Sequence, residues 1–122
     1  MYPFLVLGSL VVGLSVVLGA FGAHGLKGRL SQERLTSFET GVRYQFYHGF
    51  ALLLVGVLQA IGMASGWTTA AGWLFLAGVL LFSGSIYALT FGGPRWLGPI
   101  TPLGGLAFIL GWLLLAVGTG GY

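Results

Sequence analysis

Four long apolar stretches separate short polar connections along this chain. They run Phe4–Ala23, Phe46–Ala64, Thr68–Phe91 and Pro102–Thr119, and none holds a charged residue. A helix needs roughly 20 apolar residues, each rising about 1.5 Å, to cross a hydrocarbon core about 30 Å thick. Each stretch approaches that length, and none has the period-two alternation of a barrel strand. The pattern predicts an all-α fold: an integral membrane four-helix bundle forming one domain over residues 1–122. The first stretch is read as a span rather than a cleaved leader. No Lys or Arg precedes it, and it exceeds the usual leader core of about 7–15 residues.

Small residues give each predicted helix a contact seam, which matters because lipid supplies no hydrophobic drive for helix association. At 100° per residue, Gly8, Ser15, Gly19 and Gly22 share one face of the first helix, and Ser9, Gly13 and Ala20 form a second. The second face leaves room for a homo-oligomer contact. Gly41, Tyr44, His48, Gln59 and Gly62 align on the second helix, and Gly72, Ser83, Tyr87 and Thr90 on the third. On the fourth, Gly104, Ala107, Gly111 and Gly118 align.

Residues 31–45 have a different pattern. Ser31 suits an N-cap and Glu33 the positive end of a helix dipole, while Leu35, Phe38, Val42 and Phe46 recur on one face. Glu39 and Arg43 stand four apart on the other side. An amphipathic inner-leaflet helix between spans 1 and 2 is expected here, with Gly41 as its hinge.

Composition sharpens this picture. The chain is 57% hydrophobic and 6% charged, whereas a soluble domain usually has about a quarter of its residues charged. Absent cysteine excludes disulfides, thiolate metal sites and a cysteine nucleophile. The net charge of +3 is too small for a nucleic-acid surface. Yet the charge is concentrated: Lys27, Arg29, Arg34 and Arg43 lie in the first connection and Arg95 in the third. By the positive-inside rule both connections are cytoplasmic, so the chain is a multi-pass cytoplasmic (inner) membrane protein with both termini outside. Tyr2, Trp67 and Tyr122 then mark the outer interface and Trp96 the inner one.

Span order gathers the polar side chains at the inner end. His24, Glu39, Arg43, Tyr44, Tyr47, His48, Ser83 and Tyr87 form a candidate inner-mouth site. His24 and His48 are expected at similar depth, where two imidazoles can fix the bundle mouth or ligate a haem or metal. The first reading is preferred, because no third ligand accompanies them. "GAFGAHGLKG" lacks the Ser or Thr and the preceding strand of a phosphate loop. Its glycines suit close helix contact, then a turn with positive φ near Gly25 or Gly28. In "GPRWLGPITPLGG", Thr101 is positioned to cap the fourth helix with Pro102 first inside it. Gly104 and Gly105 would leave first-turn N–H groups open. With Lys27, Arg29 and Arg95 these residues form a candidate site for an anion or lipid headgroup.

The segments "LGAFGAHGL", "FETGVRYQFYHGFALL", "LFSGSIY" and "GPITPLGGLAFILGWLLLA" together resemble the small bacterial inner-membrane proteins of the YgdD type, a family of unknown function. The resemblance spans nearly the whole chain. It implies a four-span fold and no catalytic residue.

The expected role is non-enzymatic, without cofactor or metal: binding membrane lipids, anionic ones included, a small anion or a partner at the cytoplasmic end. Two other classes stay open. One is a small oligomeric transporter or pore with His24, Glu39 and His48 as its relay. The other is a bis-histidine haem or metal protein.

Overall fold

The computed structural model describes residues 2–121, and every regular element among them is helical. Helix α1 spans Pro3–Leu26 and finishes in a π turn over Gly22–Leu26. Helix α2 runs Gln32–Ala60, α3 runs Gly66–Thr90 with a π turn at Val79–Ser83, and α4 runs Ile100–Thr119. Tyr122 lies outside the described residues. Helices α1 and α3, and α4 with the 3-10 turn before it, are long and apolar enough to cross a membrane.

The segments on either side of residue 45 form one helix. Ser31 caps it as expected, its Oγ accepting the Arg34 N–H at 3.2 Å. No break occurs at Gly41, where an added Cβ would stand 3.0 Å from Tyr87 Cε1 and 3.2 Å from Ile86 Cγ2. That glycine serves close packing on α3 and is not a hinge. Leu35, Phe38 and Val42 pack with Leu26 and against Tyr87, so the apolar face of this segment is covered by protein rather than by a leaflet. The helix ends at Ala60, short of the expected Ala64, and Gly62 makes the turn at φ 84°.

Two antiparallel pairs build the bundle. In the first, α1 lies along α2 with their backbones close: a Cβ on Gly8 would come 2.9 Å from Leu53 N, and one on Gly56 2.9 Å from Leu5 N. This is the small-residue packing that substitutes in lipid for the hydrophobic effect. In the second pair, Gly104, Ala107 and Gly111 of α4 are buried against α3. Helix α2 joins the pairs by packing on α3, and Phe4 crosses from α1 to stack edge-on against Trp73 at 4.9 Å. The main core comprises Phe4, Leu52, Val55, Phe75 and Leu115 with Ala51 and Ala71. Large apolar side chains such as Leu10, Val17, Leu80, Leu113 and Val117 face outward. The second small face of α1 is also outward: Ser9, Gly13 and Ala20 are exposed, with nothing within 4 Å of a Cβ on Gly13.

This topology places all seven charged side chains in the half of the bundle that holds the α1–α2 and α3–α4 connections, Arg43 being the deepest, eleven residues inside α2. Exposed Trp96 lies there too, while exposed Tyr2 and Trp67 lie at the uncharged end.

Candidate functional site

The antiparallel register fixes the depth of each polar group. A Cβ on Gly49 would meet Val12 and Val11, and one on Gly22 would meet Phe38. His48 is therefore level with residues 12–13 of α1, about eleven residues before His24, a displacement of roughly 16 Å along the axis. Across the bundle His48 stacks on Phe108, near the middle of α4, with ring centroids 3.5 Å apart and planes at 9°. His48 is thus at mid-bundle, whereas the sequence placed it at the mouth beside His24. Sequence order alone could not reveal this, because α2 begins fourteen residues before its apolar stretch.

His48 is buried and has partners at both ring nitrogens. The Trp112 indole is a pure donor and gives its N–H to Nε2 at 3.1 Å. Nδ1 therefore carries the proton and donates it to the Tyr44 carbonyl at 2.8 Å. The imidazole is held as one neutral tautomer with no lone pair left for a metal. His24 is exposed on the π turn ending α1. The donor set does not fit bis-histidine ligation, and among the described residues no group of three metal-ligating side chains exists.

Nor do the relay candidates assemble. Glu39 and Arg43 are exposed and line a shallow groove with Gly22, Ala23 and Phe46 on the α1 side of α2. Glu39 lies nine residues before His48 on the same helix, about 13 Å away along its axis. Tyr47 is exposed and packs edge-on against Tyr44 at 5.5 Å.

The remaining inner-mouth residues tie the helices together. Ser83 is buried and donates to the Gly41 carbonyl at 2.7 Å, joining α3 to α2. Tyr87 donates to Gln45 Oε1 at 2.6 Å, and Gln45 Nε2 donates to the Val11 carbonyl at 3.1 Å. That chain of two bonds links α3, α2 and α1. Such interhelical bonds are worth about 0.6–1.7 kcal/mol each in a membrane. Gln45 and Trp112 were missed in the sequence. Gln45 sits among apolar residues on the buried side of α2, and this misplaced polarity was the one available signal; nothing marked Trp112.

The expected anion site changes more. Thr101 does not cap α4, which begins at Ile100 after Pro99 with no side-chain cap. Its hydroxyl is instead hydrogen-bonded to Ser85 of α3. Gly104 is buried, and a Cβ there would come 2.7 Å from Phe82 Cα, so its use is helix contact rather than open N–H groups. Lys27 and Arg29 are exposed on the α1–α2 connection and Arg95 on the α3–α4 connection. Gly105 takes a different role. It lies in the floor of a groove of about 610 Å³ between α2 and α4, with Tyr44 and His48 on one wall and Phe108 and Trp112 on the other. The groove starts at Pro102, near the charged end, and its π-turn residue Phe82 forms the back. Single π turns inside α-helices are frequent at functional sites.

Long apolar helices, outward aliphatic side chains and polar groups turned to one another define a helical membrane protein. The chain belongs to the family described as protein of unknown function (DUF423), whose model matches residues 18–105. It is 49% identical over 116 residues to a UPF0382 membrane protein of Staphylococcus haemolyticus, covering 95% of this chain and 93% of that one. It is 45% identical over 117 residues to the UPF0382 membrane protein YwdK of Bacillus subtilis, covering 96% and 95%. No solved structure matches.

Proposed function

We propose that this chain is a YgdD-type, non-enzymatic protein of the cytoplasmic membrane that binds anionic lipid at its cytoplasmic end. The observation that carries this reading is the groove between α2 and α4, which leads from the end holding the basic α1–α2 and α3–α4 connections toward mid-bundle. Lys27, Arg29, Arg43 and Arg95 supply the attraction for the headgroup, at about 1 kcal/mol per basic residue near an anionic surface. Purified protein is expected to retain phosphatidylglycerol over phosphatidylcholine in native mass spectrometry. Neutralising the four residues to Gln should reduce that preference at least about tenfold. An unchanged preference would sink the proposal.

All four helices cross the bilayer in this reading. Helix α2 is less apolar than the others because its first three turns carry exposed charged residues and because it turns Gln45 and His48 inward. In this reading it crosses with α1 and α3, against which it packs. The basic connections lie inside and both termini outside. The absence of native cysteine makes the test direct. In whole cells, a single cysteine at Ser65 should react with an impermeant maleimide, and one at Lys27 only after permeabilisation. The opposite labelling would invert the topology and place the proposed lipid end outside.

A further inference from the structure

We propose that the groove between α2 and α4 seats one acyl chain of an anionic phospholipid drawn from the leaflet at the charged end. This rests on the lipid reading above and specifies which part of the lipid the bundle grips. The volume of about 610 Å³ falls within the roughly 300–1,000 Å³ usual for ligand sites. The length is more telling. From Pro102 to Trp112 the groove follows α4 for ten residues, roughly 15 Å, which is half of a hydrocarbon core about 30 Å thick. A chain lying there reaches from one interface to the midplane.

The deep end selects hydrocarbon. It is closed by the Trp112–His48 hydrogen bond, and His48 spends its other nitrogen on the Tyr44 carbonyl. The imidazole therefore offers a ligand no free donor or acceptor, only ring faces stacked with Phe108. The shallow end selects charge. Arg95 stands in the turn that leads into α4, seven residues before Pro102 at the groove's start. A lipid with its chain in the groove has its headgroup at this basic end.

Gly105 provides the test. A Cβ there would meet only Phe82 Cδ1, at 3.9 Å, so a larger side chain fills the groove without straining the bundle. Full-length protein in mild detergent is offered phosphatidylglycerol with two oleoyl or two octanoyl chains, and bound lipid is read by native mass spectrometry. The wild type is expected to retain the oleoyl lipid at least tenfold better. Gly105→Leu should erase that difference, and so should Ile109→Trp, which fills the groove from its 59% exposed rim. Equal retention of the two chain lengths by the wild type overturns the proposal. So does chain-length dependence that survives both substitutions, the result expected if a protein partner or second copy occupies the groove instead. Chain-length dependence without headgroup preference supports the groove and removes the headgroup reading alone.

Discussion

Gly104→Leu is expected to abolish the native pairing of α3 and α4, lowering stability by about 3 kcal/mol, the upper end of the usual cost of overpacking. The added atoms would land on backbone, with the new Cβ 2.7 Å from Phe82 Cα and Cβ. Backbone in a packed helix cannot swing aside like the tip of a flexible side chain. The site is further constrained from below, because a Cβ on Gly78 would stand 3.1 Å from the Gly104 carbonyl. Moving α4 outward would also pull Thr101 from Ser85 and Trp112 from His48. Loss of monodisperse protein in detergent, or a sharply lower thermal midpoint, is the measurement. Gly13→Leu and Gly84→Leu are the controls, since nothing lies within 4 Å of a Cβ at either, and each should stay within about 0.5 kcal/mol of wild type. A Gly104→Leu protein as stable as these controls would contradict the α3–α4 contact itself.

The controls show where sequence periodicity is informative. On α1 Gly8, Ser15 and Gly22 are buried as their spacing predicts and Gly19 only partly; on α4 Gly104, Ala107 and Gly111 are buried and Gly118 only partly. Of the face predicted for the second helix, Gly41 and His48 are buried but Tyr44 and Gly62 are exposed. A helix repeats every 3.6 residues whatever it packs against, so membership of a face is legible before the partner is known. The collection of charge at one end is legible for a similar reason, because it needs only the order of the spans. Depth and partnership are another matter. They depend on how far one helix slides past its neighbour, and Trp112 meets His48 across 64 residues of chain. The same blindness explains Thr101. A Thr-Pro pair at a helix start suggests a cap, but α4 begins earlier and the hydroxyl is claimed by Ser85, 16 residues away in sequence. Hydropathy also cannot tell that Gln45 and His48, alone among the strongly polar residues of α2, are buried against protein. Gly105 shows the limit most clearly: its spacing placed it near a helix start, yet its open side is visible only once α2 and α4 stand apart.

His48 and His24 should respond to substitution in opposite ways, and the contrast tests the register on which the site depends. His48→Ala removes a ring stacked on Phe108 and leaves a void beneath Trp112. Large-to-Ala changes in a core cost about 2–5 kcal/mol, and an indole N–H left without an acceptor adds about 1–3 kcal/mol where water cannot reach it. A net loss of at least about 3 kcal/mol is expected, with Trp112 free to rotate out of the groove wall. His48→Phe keeps the volume and the stack while still orphaning the indole, so it should fall between wild type and His48→Ala. His24 is exposed at the end of α1, and His24→Ala should change the thermal midpoint by no more than a surface substitution does, within about 0.5 kcal/mol. Under the paired-histidine arrangement the two alanine variants would instead lose a shared structure and fall together. Equal losses would therefore bring His48 back to the mouth, and with it the groove's deep end would lose its floor.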